Sequence, residues 1–232
     1  MNVSEVLNLL KENQNERGIK SWQAMGDSTG GLSSYGIGLT QLRKLAKKVG
    51  KDHQLAGKLW QSKYYDAKVI ALLIDEADLL TRQQVEQQVE NLNAGMLSHV
   101  FSSCDATLAK APFVVELTQD WLISKDKMRR SCGYGLLYEL SKNNRNKKLT
   151  DEFFLEWITH IDSTIDNEEN WVRLSQGGAL MGIGKRNKTL NEASIKVAER
   201  VGPIKYSDGD RKCEPFDVLK HLTSDSLKKK FS

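Results

Sequence analysis

The sequence predicts an all-α protein built as an array of helix pairs, and three observations carry that prediction. Apolar residues recur at helical spacing in short blocks from one end of the chain to the other. Proline occurs only 3 times in 232 residues, while Leu, Lys, Ala, Glu and Gln recur throughout. Pairs of blocks repeat at roughly 35 to 40 residues, the range of two-helix repeats in which each unit buries its apolar face against its neighbours. No alternating strand pattern competes with this reading.

In chain order, the periodicity places helices over 3–13, 15–25, 39–49, 52–61, 64–77, 81–93, 95–109, 112–123, 126–142, 150–161, 168–184 and 189–201. LTQLRKLAKKVG with HQLAGKLWQS reads as one pair, and DEFFLEWITHI with the stretch after Asn170 as another. Connections such as GKD, SKNNRNKK and KRNKT are short and polar. Two segments interrupt the pattern. GDSTGGLSSYGIG (26–38) is a Gly/Ser loop; no strand precedes it and no Lys-Ser/Thr follows at phosphate-loop spacing. The tail from about 202 starts irregularly, carries a turn signal at Ser207-Asp208-Gly209 and closes with a short helix. No linker is evident, so residues 1–232 are expected to form a single repeat domain with an irregular tail.

Composition narrows the function classes. Hydrophobic residues make 39% of the chain and charged residues 28%, ordinary for a globular protein. No apolar run approaches the length of a membrane span, and MNVSEVLNLLKEN reads as an amphipathic helix start rather than a signal peptide. Cys104, Cys132 and Cys213 are scattered and odd in number, which suggests reduced thiols and a cytoplasmic setting. His53, His99, His160 and His221 show no ligand spacing, so no metal site is expected. In the tail, Asp208, Asp210, Cys213 and Asp217 suit turn chemistry better than metal binding. The five tryptophans divide: Trp22, Trp60, Trp121 and Trp157 occupy helix-face positions expected in the core.

The net charge of +4 is mild, but its distribution is not even. Basic groups gather at Arg43-Lys44-Lys47-Lys48-Lys51, Lys125-Lys127-Arg129-Arg130, Lys142-Arg145-Lys147-Lys148 and Lys185-Arg186-Lys188. On one face these would track a phosphate backbone; singly, each also fits a solvated helix end. One acid stands out. In HVFSSCDATLAK (99–110), Phe101, Cys104 and Leu108 recur as one helical face, and Asp105 falls on it. A charged carboxylate there costs several kcal/mol unless it is partnered. It is a functional acid, or it sits at a helix end near solvent, or it caps a break before Pro112.

The run SYGIGLTQLRKLAKKVG, followed by LAGKLWQSKYYDAKVIALLI, resembles the HEAT-like-repeat DNA glycosylases of the DNA alkylation-repair family. The resemblance rests on Gly36, Leu42-Arg43-Lys44, Leu59-Trp60 and Tyr64-Tyr65-Asp66, and extends more loosely from about 5 to 200. It implies a right-handed solenoid of HEAT-like helix pairs with a concave, basic face for double-stranded DNA, alkylated or distorted, in a monomer that uses no cofactor. The implied chemistry is hydrolysis of the N-glycosidic bond of a cationic alkylated purine. The family's aromatic-x-x-x-Asp motif maps to Phe101 and Asp105, so Asp105 would stabilise developing positive charge or orient water. Phe101, where the family has Trp, would contact the lesion through a weaker π-face. The family's DNA-contacting Arg matches Arg130, which shares a helical line with Tyr134; it either grips phosphate or stacks on its own helix as a surface side chain.

The family's last aromatic position falls on Gly178. Gly178 and Gly182 instead present a small-residue surface that another backbone can approach, as do Gly133 and Gly135 in the preceding basic helix. Trp171, seven residues before Gly178, either replaces the missing aromatic or packs between repeats. Arg43, Lys185 and Arg186 complete the implied DNA-contact set. The alternative to a glycosylase is a non-catalytic DNA-binding module that senses damaged or distorted DNA. A scaffold for a protein partner is the third reading; only the two DNA readings demand binding that weakens steeply with salt.

Overall fold

The structure is a computed structural model and describes residues 1–205, 207–208, 211–212 and 214–231. The predicted helical class is what it shows: α1 (Val3–Glu12), α2 (Glu16–Gln23), α3 (Leu39–Val49), α4 (His53–Trp60), α5 (Tyr65–Ile74), α6 (Arg82–Val89), α7 (Leu97–Ser102), α8 (Val114–Leu122), α9 (Lys127–Ser141), α10 (Asp151–Thr164), α11 (Asn170–Ile183), α12 (Lys188–Val201), α13 (Val218–Leu222) and α14 (Asp225–Phe231). Local chemistry sets most of the starts. Asn2, Asn15, Asp52, Thr81, Asp126, Thr150 and Asn187 each cap a helix, their side-chain oxygens accepting from otherwise unpaired backbone N–H groups of the first turn. The chain divides into two compact units, Met1–Val114 and Val115–Ser232.

In the first unit α5 is the hub. Its sequence YDAKVIALLI is apolar on nearly every side, and Tyr65, Ala67, Val69, Ile70, Ala71, Leu72 and Ile74 are all buried. A helix with no polar face must be enclosed, and α5 packs against α1, α3, α4 and α7. The Gly/Ser loop is fastened to its first turn. Asp66, wholly buried, accepts from the Ser34 hydroxyl at 2.8 Å and from the backbone N–H groups of Tyr35 at 2.8 Å and Ile37 at 3.1 Å. Gly36 lies at φ +70°, with a Cβ there 2.3 Å from the Ile19 nitrogen, so only glycine lets the loop meet α2.

In the second unit α9 and α11 form the closest pair, with α10 and α12 against each other and α13 closing on α11 and α12. The close approaches anticipated at glycines occur at two of the named positions. A Cβ on Gly133 would stand 3.1 Å from the Leu122 nitrogen of α8, and one on Gly182 would stand 2.5 Å from the Tyr138 ring of α9. Gly178 is different: a Cβ there meets open space, so it is no contact surface. Trp121 and Trp157 are buried here, as are Trp22 and Trp60 in the first unit, as their helix-face positions imply.

The tail contains a short antiparallel pair, Ser207–Asp208 with Arg211–Lys212; Gly209 of the expected turn lies outside the described residues. Asp217 caps α13 by accepting from the Lys220 N–H, the turn chemistry anticipated for it; Asp210 and Cys213 lie outside the described residues. A further helix, α14, follows the one expected. Among the described residues no helix is long and apolar enough to cross a membrane.

Candidate functional site: a helix break at Asp105

The acid predicted to sit on a buried helical face is not on a helix. α7 ends at Ser102, and a 3₁₀ turn resumes at Thr107–Lys110. Ser102, Ser103 and Asp105 are weak helix formers, and the Ser102 hydroxyl donates back to the Ser98 carbonyl at 2.8 Å, competing with the helix. Cys104 and Asp105 then adopt left-handed conformations, φ 55° and 61°. Two consecutive non-glycine residues there carry strain of about 1–3 kcal/mol each. The bend turns Asp105 out to the exposed surface, so it bears none of the burial cost expected of it.

Arg43 holds the bend. Its Nη2 donates to the Cys104 carbonyl at 2.9 Å, which gives this arginine a task within the fold rather than a free guanidinium. Cys104 Sγ lies 2.6 Å from His99 Nε2. On the far side of the break Lys51 donates to the Leu73 and Asp75 carbonyls at 3.0 and 2.6 Å and to the Thr107 hydroxyl at 3.3 Å. Partial burial, and then Lys110, push the Lys51 ammonium below the usual lysine value.

Phe101, expected to face a lesion, is turned into the core. It is 3% exposed and lines a cavity of about 10 Å³ with Leu72, Leu80, Val100 and Leu108. That space holds one water at most. The helix ends one residue after the ring, so Phe101 still points inward where Asp105, four residues on, has already swung out.

Arg130 is likewise engaged internally. Its Nε and Nη2 form a two-pronged ion pair with Glu168 at 2.7 and 2.8 Å, and Nη1 donates to the Ser124 and Lys125 carbonyls, both at 2.9 Å. The Glu168 carboxylate raises the Arg130 pKa further. The reading in which Arg130 stacks on Tyr134 at the surface does not hold, because Tyr134 is 0% exposed. Its phenol accepts from Gln176 at 3.1 Å, and burial raises its pKa. Arg130→Ala should therefore lower stability by about 2–3 kcal/mol, since it strands a mostly buried carboxylate and two carbonyls. Thermal melting tests this; an unchanged midpoint would return Arg130 to the surface.

Arg186 completes the set of internally used cations. Nη1 donates to the Ser141 carbonyl at 2.6 Å and the Asn143 carbonyl at 3.2 Å, Nη2 to the Leu149 carbonyl at 3.2 Å, and the guanidinium lies 4.4 Å from the Phe154 ring centre. Lys185, next in the chain, makes no side-chain ion pair among the described residues. Trp171, rather than packing between repeats, is 55% exposed on the first turn of α11. Several basic groups of the predicted clusters have no carboxylate partner among the described residues: Lys44, Lys47 and Lys48 on α3, Arg145 and Lys147 after α9, and Lys188.

Helices packed against their near neighbours along the chain, within each of the two units, are the architecture of the HEAT-like-repeat fold class. The chain belongs to the DNA alkylation repair enzyme family, whose model matches residues 6–204. Two uncharacterised proteins, one of Listeria monocytogenes and one of Listeria innocua, are each 24% identical to it over 200 residues, covering 82% of this chain and 83% of theirs. A solved structure from a family related to the HEAT-like repeat DNA glycosylases, with affinity for branched DNA structures, superposes with a TM-score of 0.84. That likeness covers 99% of this chain and 95% of the other at 18% identity, and is a likeness of fold.

Proposed function

We propose that the protein binds distorted or branched DNA through backbone phosphates and acts by recognition rather than by base excision. One observation carries this choice over a glycosylase: the ring that should face a cationic base is Phe101, and it is buried in the core. The second aromatic position falls on Gly178, which has no side chain and where a Cβ would meet open space. An oxocarbenium-like transition state can be stabilised by a carboxylate alone, but a flipped cationic base also needs an aromatic wall to hold it. Phosphate recognition needs only placed cations, and exposed lysines without carboxylate partners are present on α3 and after α9. The branched-DNA affinity of the structural neighbour's family agrees with this reading.

Base excision is the second reading, and Asp105 favours it. An exposed carboxylate on a strained bend, its neighbour's carbonyl fixed by Arg43, suits charge stabilisation. Both readings are tested together by measuring affinity for a four-way junction against a linear duplex of equal length, and base release from DNA carrying a cationic methylpurine. The expected result is tighter junction binding, by about tenfold, with base release at background. Asp105→Asn should then leave affinity unchanged and stability within about 0.5 kcal/mol, because the site is exposed and Asn tolerates the left-handed region. Base release by the parent that Asp105→Asn abolishes would overturn the recognition reading in favour of excision.

A further inference from the structure

The second unit gathers positive charge where three separate segments meet. Lys185 stands in the turn between α11 and α12, and partial burial followed by the nearby Lys142 pushes its ammonium below the usual lysine value. Lys142, at the end of α9, is answered by Glu139 at 2.9 Å; Lys185 faces no carboxylate among the described residues. α14, whose Leu227 is buried, is fastened to this turn by Lys230, whose Nζ donates to the Lys185 carbonyl at 2.6 Å. This contact sets the exposed Lys228 and Lys229 on the same short helix as Lys230. The basic stretch after α9 is held to the same turn by Arg186 through the Ser141, Asn143 and Leu149 carbonyls. Like charges brought together in this way repel one another unless a polyanion relieves them.

We propose that α14 and the α11–α12 turn form an accessory clamp for a DNA phosphate backbone, with Lys185 and Lys228 as direct contacts. The proposal rests on the DNA-binding reading above. The chemistry favours phosphate over a protein partner. None of the large exposed apolar side chains, Met1, Leu79, Met96, Ile123 and Trp171, lies on these segments, and a protein interface draws most of its energy from apolar or aromatic anchors. Phosphate contacts need charge and release counterions, and so leave their mark on the salt dependence.

The test uses the full chain and a linear duplex, with dissociation constants measured between 50 and 200 mM salt. The double variant Lys185→Gln/Lys228→Gln leaves the Lys230 contact intact, and its melting temperature is compared with the parent's. The expected result is a parent-like melting temperature, a log–log salt slope reduced by about 1–2 units, and affinity at low salt weakened by roughly ten- to a hundredfold. Lys185→Arg/Lys228→Arg should retain both slope and affinity. A parent that binds with a steep salt slope alongside a Gln variant of unchanged slope would overturn the clamp and leave the DNA reading standing. A slope reduced equally by Lys11→Gln, an exposed lysine of α1, would reduce the effect to bulk charge and overturn it too. A parent that binds no DNA at 50 mM salt would overturn both.

Discussion

Asp66→Ala is expected to lower unfolding stability by about 3–5 kcal/mol. The carboxylate lies at 0% exposure and takes three donors from the 34–37 loop, two of them backbone N–H groups. Truncation leaves Tyr35 and Ile37 with donors that have lost their acceptor, at about 1–3 kcal/mol each. The Ser34 hydroxyl can rotate elsewhere and adds little. Asp66→Asn should recover only part of the loss, because an amide that accepts from one N–H turns its own NH₂ toward another donor. Chemical denaturation measures both variants. An Ala variant within 1 kcal/mol of the parent would mean that the loop is not fastened through this carboxylate.

Phe101→Ala is expected to cost about 3–4 kcal/mol, the usual range for a large aromatic deleted from a packed core. The ring fills space between α5 and the 3₁₀ turn and leaves a cavity of only about 10 Å³ beside it, so little slack exists for neighbours to collapse. The useful comparison is with DNA affinity at a temperature where the variant remains folded. Unchanged affinity together with early melting assigns the ring to the core. Loss of damaged-DNA preference in a variant that melts like the parent would place it in a cleft and revive the lesion contact. Phe101→Trp tests the same point from the other side: an indole adds volume to a filled site and should destabilise by about 1–3 kcal/mol, where a cleft position would gain affinity.

The helices were legible in the sequence because two independent signals agreed. Apolar spacing marked their faces and short polar connections marked their ends, so most predicted bounds fall within a few residues of the observed ones. The site was less legible, for a physical reason that can be stated residue by residue. Phe101, Cys104 and Leu108 keep helical spacing across a break, since spacing counts residues and says nothing of a bend between them. Ser102-Ser103 was the local signal for that break. Arg130 lies on a helix that the periodicity marked, but its partner Glu168 is 38 positions away, and Asp66 serves amides 29 to 31 positions away. No local pattern encodes such pairs. Gly133 and Gly182 were readable as close approaches because a missing side chain in a helix needs a reason; Gly178 shows that the reason is not always contact.

The Arg186 guanidinium, which draws three carbonyls from Ser141 to Leu149 onto one side chain, has a consequence for how binding data would read. Ordering a free backbone costs about 1–2 kcal/mol per residue, and a basic loop already fixed in place meets a phosphate without that cost. On the DNA-binding reading, the tie acts on residence time: a loosened loop would let each lysine leave separately and the complex would dissociate faster. An alanine scan would then rank Arg186 among the strongest contacts even though none of its nitrogens touched the ligand.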